Sequence, residues 1–190
     1  MNTIDNNSIV NISFLNTNQC KDGDAVIEKE LERINESIGW RDSYHETLIK
    51  TFIRPPKPGL KERVRKFMIP GDKKPVIFIM GRSDGLCRGY AVARPDYYKK
   101  NACYLSYLAV ERAFQGKGLG SLLLKKIAEK AKSAGFEQLI IDCAEKALRF
   151  YQKSGLDFSK RNIGTFVNSE ENKFRLTLIL KEMTRCNLNQ

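Results

Sequence analysis

Gln115-Gly116-Lys117-Gly118-Leu119-Gly120-Ser121 stands between an apolar strand-like run, Tyr104 to Val110, and an amphipathic stretch with helical periodicity. The backbone N–H groups of a helix's first turn have no internal partner, and the macrodipole adds partial positive charge there. Such an end binds anions readily. Gly116, Gly118 and Gly120 remove the Cβ atoms that would keep a pyrophosphate away from the backbone, Lys117 adds a charge, and Ser121 adds a hydroxyl. The stretch therefore predicts a diphosphate cradle.

Two familiar glycine loops do not fit. A Walker A loop needs Ser or Thr after Gly-Lys to hold its metal, but Gly116-Lys117 runs into Gly118. A dinucleotide-binding G-x-G-x-x-G starting at Gly116 would require glycine at Ser121. It would also require an acidic ribose ligand about twenty residues on, where Gly135 and Phe136 stand, with Glu137 close by.

The segment Gln115 to Gly120 resembles Q/R-x-x-G-x-G/A, the acetyl-coenzyme A pyrophosphate motif of the GNAT superfamily of N-acetyltransferases. Around it, Tyr104 to Val110 is similar to that family's fourth strand and Lys125 to Gly135 completes the helix that follows. Leu139-Ile140-Ile141-Asp142-Cys143 is similar to the fifth strand, and Ala147 to Leu156 resembles the A-x-x-x-Y-x-K-x-G-F pattern. The resemblance spans roughly residues 70 to 160, with three motifs in the family's order.

It implies an α+β fold, a GNAT-like mixed, mostly antiparallel central sheet flanked by helices, with strands splayed to admit a thioester. It also implies acetyl-CoA as acyl donor and a primary amine as acceptor, on a small molecule, a protein lysine or an N-terminus. Gln115, Gly116, Lys117, Gly118, Gly120 and Ser121 would hold the cofactor's pyrophosphate, and the backbone of Leu108 and Val110 its pantetheine arm. Tyr151 takes the position of the family's general acid. Many relatives carry a glutamate at the start of the fourth strand as base, where this chain has Tyr104; Glu111, Glu145 and Ser106 remain open for that role. Seven residues before Tyr151, Ala144 replaces an asparagine that touches the cofactor in many relatives. The lost contact is left to Glu145, Arg149 or Lys153.

The chemistry sets its own demand. An acceptor amine with a pKa of about 10.4 pays roughly 4–5 kcal/mol to be neutral at pH 7. The leaving thiolate needs a proton, and general acid–base steps contribute roughly 10²- to 10⁴-fold each.

With 190 residues and 42% hydrophobic content, the chain is expected to form a single domain over 1–190. It has no run of eighteen apolar residues, and its start, Met1 to Asn7, lacks the basic and apolar regions of a secretory signal. A soluble cytoplasmic protein is expected, monomeric or homodimeric. The five cysteines, Cys20, Cys87, Cys103, Cys143 and Cys186, are scattered without a C-x-x-C pair and read as free thiols in a reducing compartment. With His45 as the one histidine, no metal is expected.

The net charge of +11 is the main rival signal. Much of it lies on Lys125, Lys126, Lys130 and Lys132, opposite an apolar stripe of Leu119, Leu122, Leu123, Ile127 and Ala131. No aromatic residues interleave these lysines as base stacking requires, so nucleic acid is not the expected partner. By contrast, Lys21 to Glu46 holds eight acids against four bases, and the resemblance puts this segment beside the acceptor, pointing to a cationic amine. Two other classes stay open: a non-catalytic CoA-binding regulatory protein and a basic nucleic-acid-binding module.

Periodicity predicts a strand at 9–15, helices at 24–36, 43–53 and 60–67, and a loop at Arg54 to Gly59. A hairpin about Arg82-Ser83-Asp84-Gly85 should join Pro75–Met80 to Leu86–Ala93. Strands at 162–167 and 173–180 close the chain.

Overall fold

In a computed structural model, residues 11–15, 24–40, 77–165 and 171–183 are described. The expected helices at 43–53 and 60–67 and the proline loop lie outside these residues.

Asp84 and Gly85 both adopt positive φ, 53° and 76°, which is the backbone of a two-residue hairpin turn whose twist matches its strands. They join β2 (Ile77–Ser83) to β3 (Leu86–Pro95), so the turn is two residues shorter than the sequence suggests. Ahead of them β1 (Asn11–Leu15) pairs antiparallel with β2, and after them β4 (Ala102–Val110) pairs antiparallel with β3. Then β5 (Gln138–Ala144) joins β4 in parallel, while β7 (Asn172–Ile179) pairs antiparallel with both β5 and β6 (Phe158–Thr165). The order is β1-β2-β3-β4-β5-β7-β6, a mixed sheet with one parallel junction, as expected. β6 starts four residues earlier than the periodicity suggests because Phe158 finds a partner in Leu178.

Each face of the sheet has its own core. Helix α1 (Asp24–Ile38) lays Ile27, Leu31 and Ile34 against Phe78, Met80, Tyr90 and Val92. Ala25 and Val26 of the same helix are exposed, because the 27, 31, 34 spacing turns them outward. On the other face α2 (Leu119–Ser133) buries Leu119, Leu123, Leu124, Ile127, Ala128 and Ala131 over Ile79, Ala91, Leu105 and Ile141. Leu124 takes the buried place expected of Leu122. A Schellman motif ends α2: the N–H of Phe136 donates to the carbonyl of Ala131 and that of Gly135 to Lys132. The short α3 (Glu145–Gln152) packs on the same face as α2 and buries Tyr151.

One irregularity shapes β4. Val92 pairs with Tyr107 but Ala93 with Leu105, so Ser106 is an extra residue, a bulge. It reverses the alternation of the strand. Before it, Cys103 and Leu105 face the α2 core; after it, Leu108 and Val110 do, while Tyr107 and Ala109 face α1.

Among the described residues, no helix is long and apolar enough to cross a membrane.

Candidate active site

The parallel junction holds for three residue pairs, Ala102–Gln138, Cys103–Leu139 and Tyr104–Ile140. β4 continues six residues further, whereas β5 follows β7 in full register to Ala144. Each strand keeps its antiparallel neighbour, so the two part after Tyr104 and leave a gap. Into this gap opens a cavity of about 680 Å³, lined by Leu108, Val110, Gln115, Gly116, Gly118, Gly120, Ser121, Lys146, Ala147, Phe150 and Tyr151.

The loop forms one wall as its composition predicts. Gly118 is the N-cap of α2 in the left-handed region, φ 84°, and having no side chain it leaves the first-turn amides to a ligand. A Cβ on Gly120 would sit 3.1 Å from the Phe150 ring, so glycine there lets α3 close against α2. Gln115 folds back on the end of β4, its Nε2 donating to the Val110 carbonyl at 3.0 Å, and still lines the cavity. An uncapped helix start, bare backbone and the adjacent Ser121 fit a diphosphate. Lys117 is exposed outside the lining, its ammonium 5.0 Å from the centre of the Phe114 ring.

Tyr151 forms the opposite wall. Its ring is 8% exposed and stands edge-on to Phe150, with centroids 4.9 Å apart, and to Phe158 at 6.2 Å. Burial, followed by the nearby Cys143 and Tyr104, pushes its phenol well above the ordinary value. It is a protonated phenol at neutral pH. Cys143, buried on β5 beside it, is likewise raised by burial and by Asp142, to about 11, so it is a neutral thiol. In the bulge, the Oγ of Ser106 is buried with no hydrogen-bond partner.

The two glutamates considered as bases are placed elsewhere. Burial of Glu111 would raise its pKa, but Arg33 at 2.7 Å and Arg88 at 3.1 Å outweigh that and hold it below the ordinary carboxylate value. Glu145 is exposed at the start of α3 and accepts a hydrogen bond from Asn172 at 3.0 Å. Neither lines the cavity. Lys153, at the C-cap of α3, is exposed and also outside the lining.

Lys146 and Phe150 line the cavity without having been singled out, beside Ala147, the alanine of the A-x-x-x-Y pattern. Their signal was helical spacing, since 146, 147 and 150 share the face of Tyr151. Ala144 is the N-cap of α3 and supplies no side-chain cap. Instead Glu171 reaches over from the start of β7 and accepts the Lys146 N–H at 3.0 Å.

Comparison with known proteins agrees with this architecture. A protein described as an acetyltransferase of the GNAT family from Desulfovibrio desulfuricans superposes with a TM-score of 0.63 at 19% identity, covering 90% of this chain and 99% of that one. An acetyltransferase structure from Salmonella typhimurium, solved with its cofactor acetyl-CoA, gives 0.60 at 16% identity, covering 92% and 96%. At these identities the likeness concerns the fold. Glucosamine 6-phosphate N-acetyltransferase of Trypanosoma brucei brucei is 32% identical over 60 residues, which is 32% of this chain and 41% of that protein's length. Residues 40–156 match the profile of the Acetyltransferase (GNAT) family, more than half of the sequence. The chain belongs to the GNAT acetyltransferase family.

Proposed function

We propose that this protein transfers the acetyl group of acetyl-CoA to an amine. The observation that carries the proposal is the single cavity joining an uncapped, glycine-built helix start to a buried, protonated tyrosine through the gap between β4 and β5. The Salmonella relative with acetyl-CoA, and the N-acetyltransferase named in trypanosomes, support the choice of donor and reaction.

The first-turn amides of α2 would bind the pyrophosphate, with Ser121 as an added donor. Beyond Tyr104 the edge of β4 has lost its β5 partner, so the backbone at Leu108 would be free to pair with the amides of the pantetheine arm. The amine nitrogen attacks the acetyl carbonyl, the N–C bond forms, and the C–S bond breaks. Tyr151 gives its phenolic proton to the departing sulfur and regains one from solvent.

For the amine's own proton Ser106 at the bulge is the candidate that is left, acting through a water, although its buried Oγ, like the two glutamates, lies outside the cavity lining. Glu111 is poorly suited, because two guanidiniums favour its charged form and so weaken it as a base.

The acceptor is an amine to which we assign no net positive charge. Of the acids that suggested a cationic acceptor, Glu30 is engaged by Arg82 at 3.0 Å and by the Cys87 N–H at 3.1 Å. The buried thiols of Cys87, Cys103 and Cys143 support a reducing compartment, and we place the protein in the cytoplasm.

The test is thiol release from acetyl-CoA against a panel of amines and peptides. Turnover with any amine supports the proposal. Thermal stabilisation by acetyl-CoA with no release across the panel favours a non-catalytic CoA-binding protein instead.

A further inference from the structure

On the face of the sheet opposite α2, a row of charges borders the gap. Asp142 of β5 lies in register with Arg175 of β7, and Arg175 with Arg161 of β6. Residues paired directly across strands point to the same side. Phe174 and Leu176, flanking Arg175, belong to the α2 core, so the row faces the other way.

The carboxylate in this row is already engaged. Asp142 accepts the Nε of Arg175 at 2.8 Å and its Nη2 at 2.9 Å, with its side chain 8% exposed. Arg161 is exposed and pairs by register with Arg175, whose Nη1 is not among the atoms that Asp142 holds. Lys173 approaches Asp142 at 3.9 Å, and Arg94 stacks over Tyr104 at 5.0 Å on the same side. The strands of this face thus present Arg94, Lys173, Arg175 and Arg161 against Asp142, with Asp96 in the β3–β4 turn near enough to act on Arg175. Among the described residues, the helix on this side, α1, packs on β3 and β4.

We propose that Arg161 and Arg175 bind an anionic group, carboxylate or phosphate, that the acceptor carries beside its amine. This rests on the proposed acetyl transfer and narrows its substrate class. Asp142 takes the Nε and Nη2 of Arg175 and so orients its guanidinium, leaving Nη1 and the whole fork of Arg161 on the neighbouring strand to meet the planar oxygens of either anion. The location suits an acceptor. Asp142 is two residues past Ile140, the last β5 residue paired with β4, so a molecule held on this row reaches the gap from the side opposite the donor cavity.

Thiol release from acetyl-CoA is measured with matched amines, an amino sugar against its phosphate ester and an amino acid amide against the free amino acid. The wild-type protein favours the anionic member of at least one pair by about tenfold or more in kcat/KM, the size of one hydrogen bond to a charged group. The pair that shows it tells phosphate from carboxylate. Arg161→Gln removes most of that preference, whereas Lys130→Gln, an equal loss of charge on the exposed side of α2, keeps it. Equal kcat/KM within both pairs, or a preference that survives Arg161→Gln, overturns the proposal.

If no amine in the panel is acetylated, inorganic phosphate titrated into protein saturated with coenzyme A decides the matter. Saturable shifts of the Arg175 Nε NMR signal, lost in Arg161→Gln, establish the anion site and fail only the proposed transfer. Flat signals there overturn the site itself.

Discussion

Arg33 of α1 and Glu111, the residue after β4, form an ion pair at 2.7 Å that ties the helix on one face of the sheet to the strand leading into the glycine loop. Arg88 shares the same carboxylate oxygen at 3.1 Å and stacks on Phe114 at 4.5 Å. Next to Arg33, Ser37 accepts the N–H of Arg112 at 3.2 Å. Glu111 thus acts as a structural anion between α1, β3 and the loop.

Replacing Glu111 by Gln should destabilise the fold by about 1–3 kcal/mol, since it leaves Arg88, whose Nε is already buried without a partner, short of its counter-charge. The sign with pH follows from the lowered pKa of Glu111. Its stabilisation is complete above the ordinary carboxylate range and is lost as pH falls through the lower folded value. Urea titrations at neutral and acid pH should show the gap between wild type and variant closing at low pH. A gap that widens on acidification would contradict this placement of the charge.

Tyr151→Phe should lower kcat by roughly 10² to 10⁴ while leaving the KM for acetyl-CoA nearly unchanged, because the ring still packs on Phe150 and Phe158. The basic limb of the wild-type kcat profile due to this phenol should lie above pH 10, since burial raises its pKa. Stability carries the matching sign. A raised pKa contributes fully below the unfolded value of about 10 and is lost as pH rises through the folded one. Unchanged kcat in the variant would remove Tyr151 from the chemistry.

Gly120→Ala sets two effects against each other. Alanine gains about 1 kcal/mol of helix propensity, but its Cβ would stand 3.1 and 3.3 Å from Phe150 ring carbons. Phe150 is half-buried and lines the cavity, so its ring should yield into that space. Thermal stability should change by less than about 1 kcal/mol, while affinity for acetyl-CoA falls by about tenfold. Calorimetric titration with acetyl-CoA reads the second effect directly.

Ala144→Asn should stabilise the protein by about 0.5–1 kcal/mol, toward the lower end for an N-cap, because Glu171 already satisfies the Lys146 N–H. The backbone of Ala144, φ −72° and ψ 155°, suits a capping residue. Combining it with Glu171→Ala should make the benefit of asparagine larger, and thermal melts of the four variants form the cycle that shows it.

Much of the glycine-built wall of the cavity was legible in the chain because its determinants are local. The glycine spacing after an apolar run defines where α2 begins, and Asp84-Gly85 defines a hairpin turn, each through the conformational preferences of a few adjacent residues. Only packing on Phe78 and Tyr90 selects the buried face of α1, since its several apolar residues allow more than one helical stripe.

Pairing between distant strands decided the rest. The gap exists because β5 keeps β7 in register over its whole length while β4 keeps β3, a competition that no single segment reveals. The bulge at Ser106 depends on where β3 meets β4, and it determines that Leu108 and Val110, rather than their neighbours, face the cavity. Glu111 looked like a base from its position after β4, but Arg33, 78 residues earlier, makes it an ion-pair anchor. Arg161 and Arg175 are two charges among many until the β6–β7 register places them opposite one another. By itself the sequence determined the loop that opens α2 and the motif order around it, because backbone preferences act over a few residues. Tertiary structure alone decided the gap, the orphaned Ser106 hydroxyl and the facing arginines, because each depends on strands distant in sequence meeting in one register.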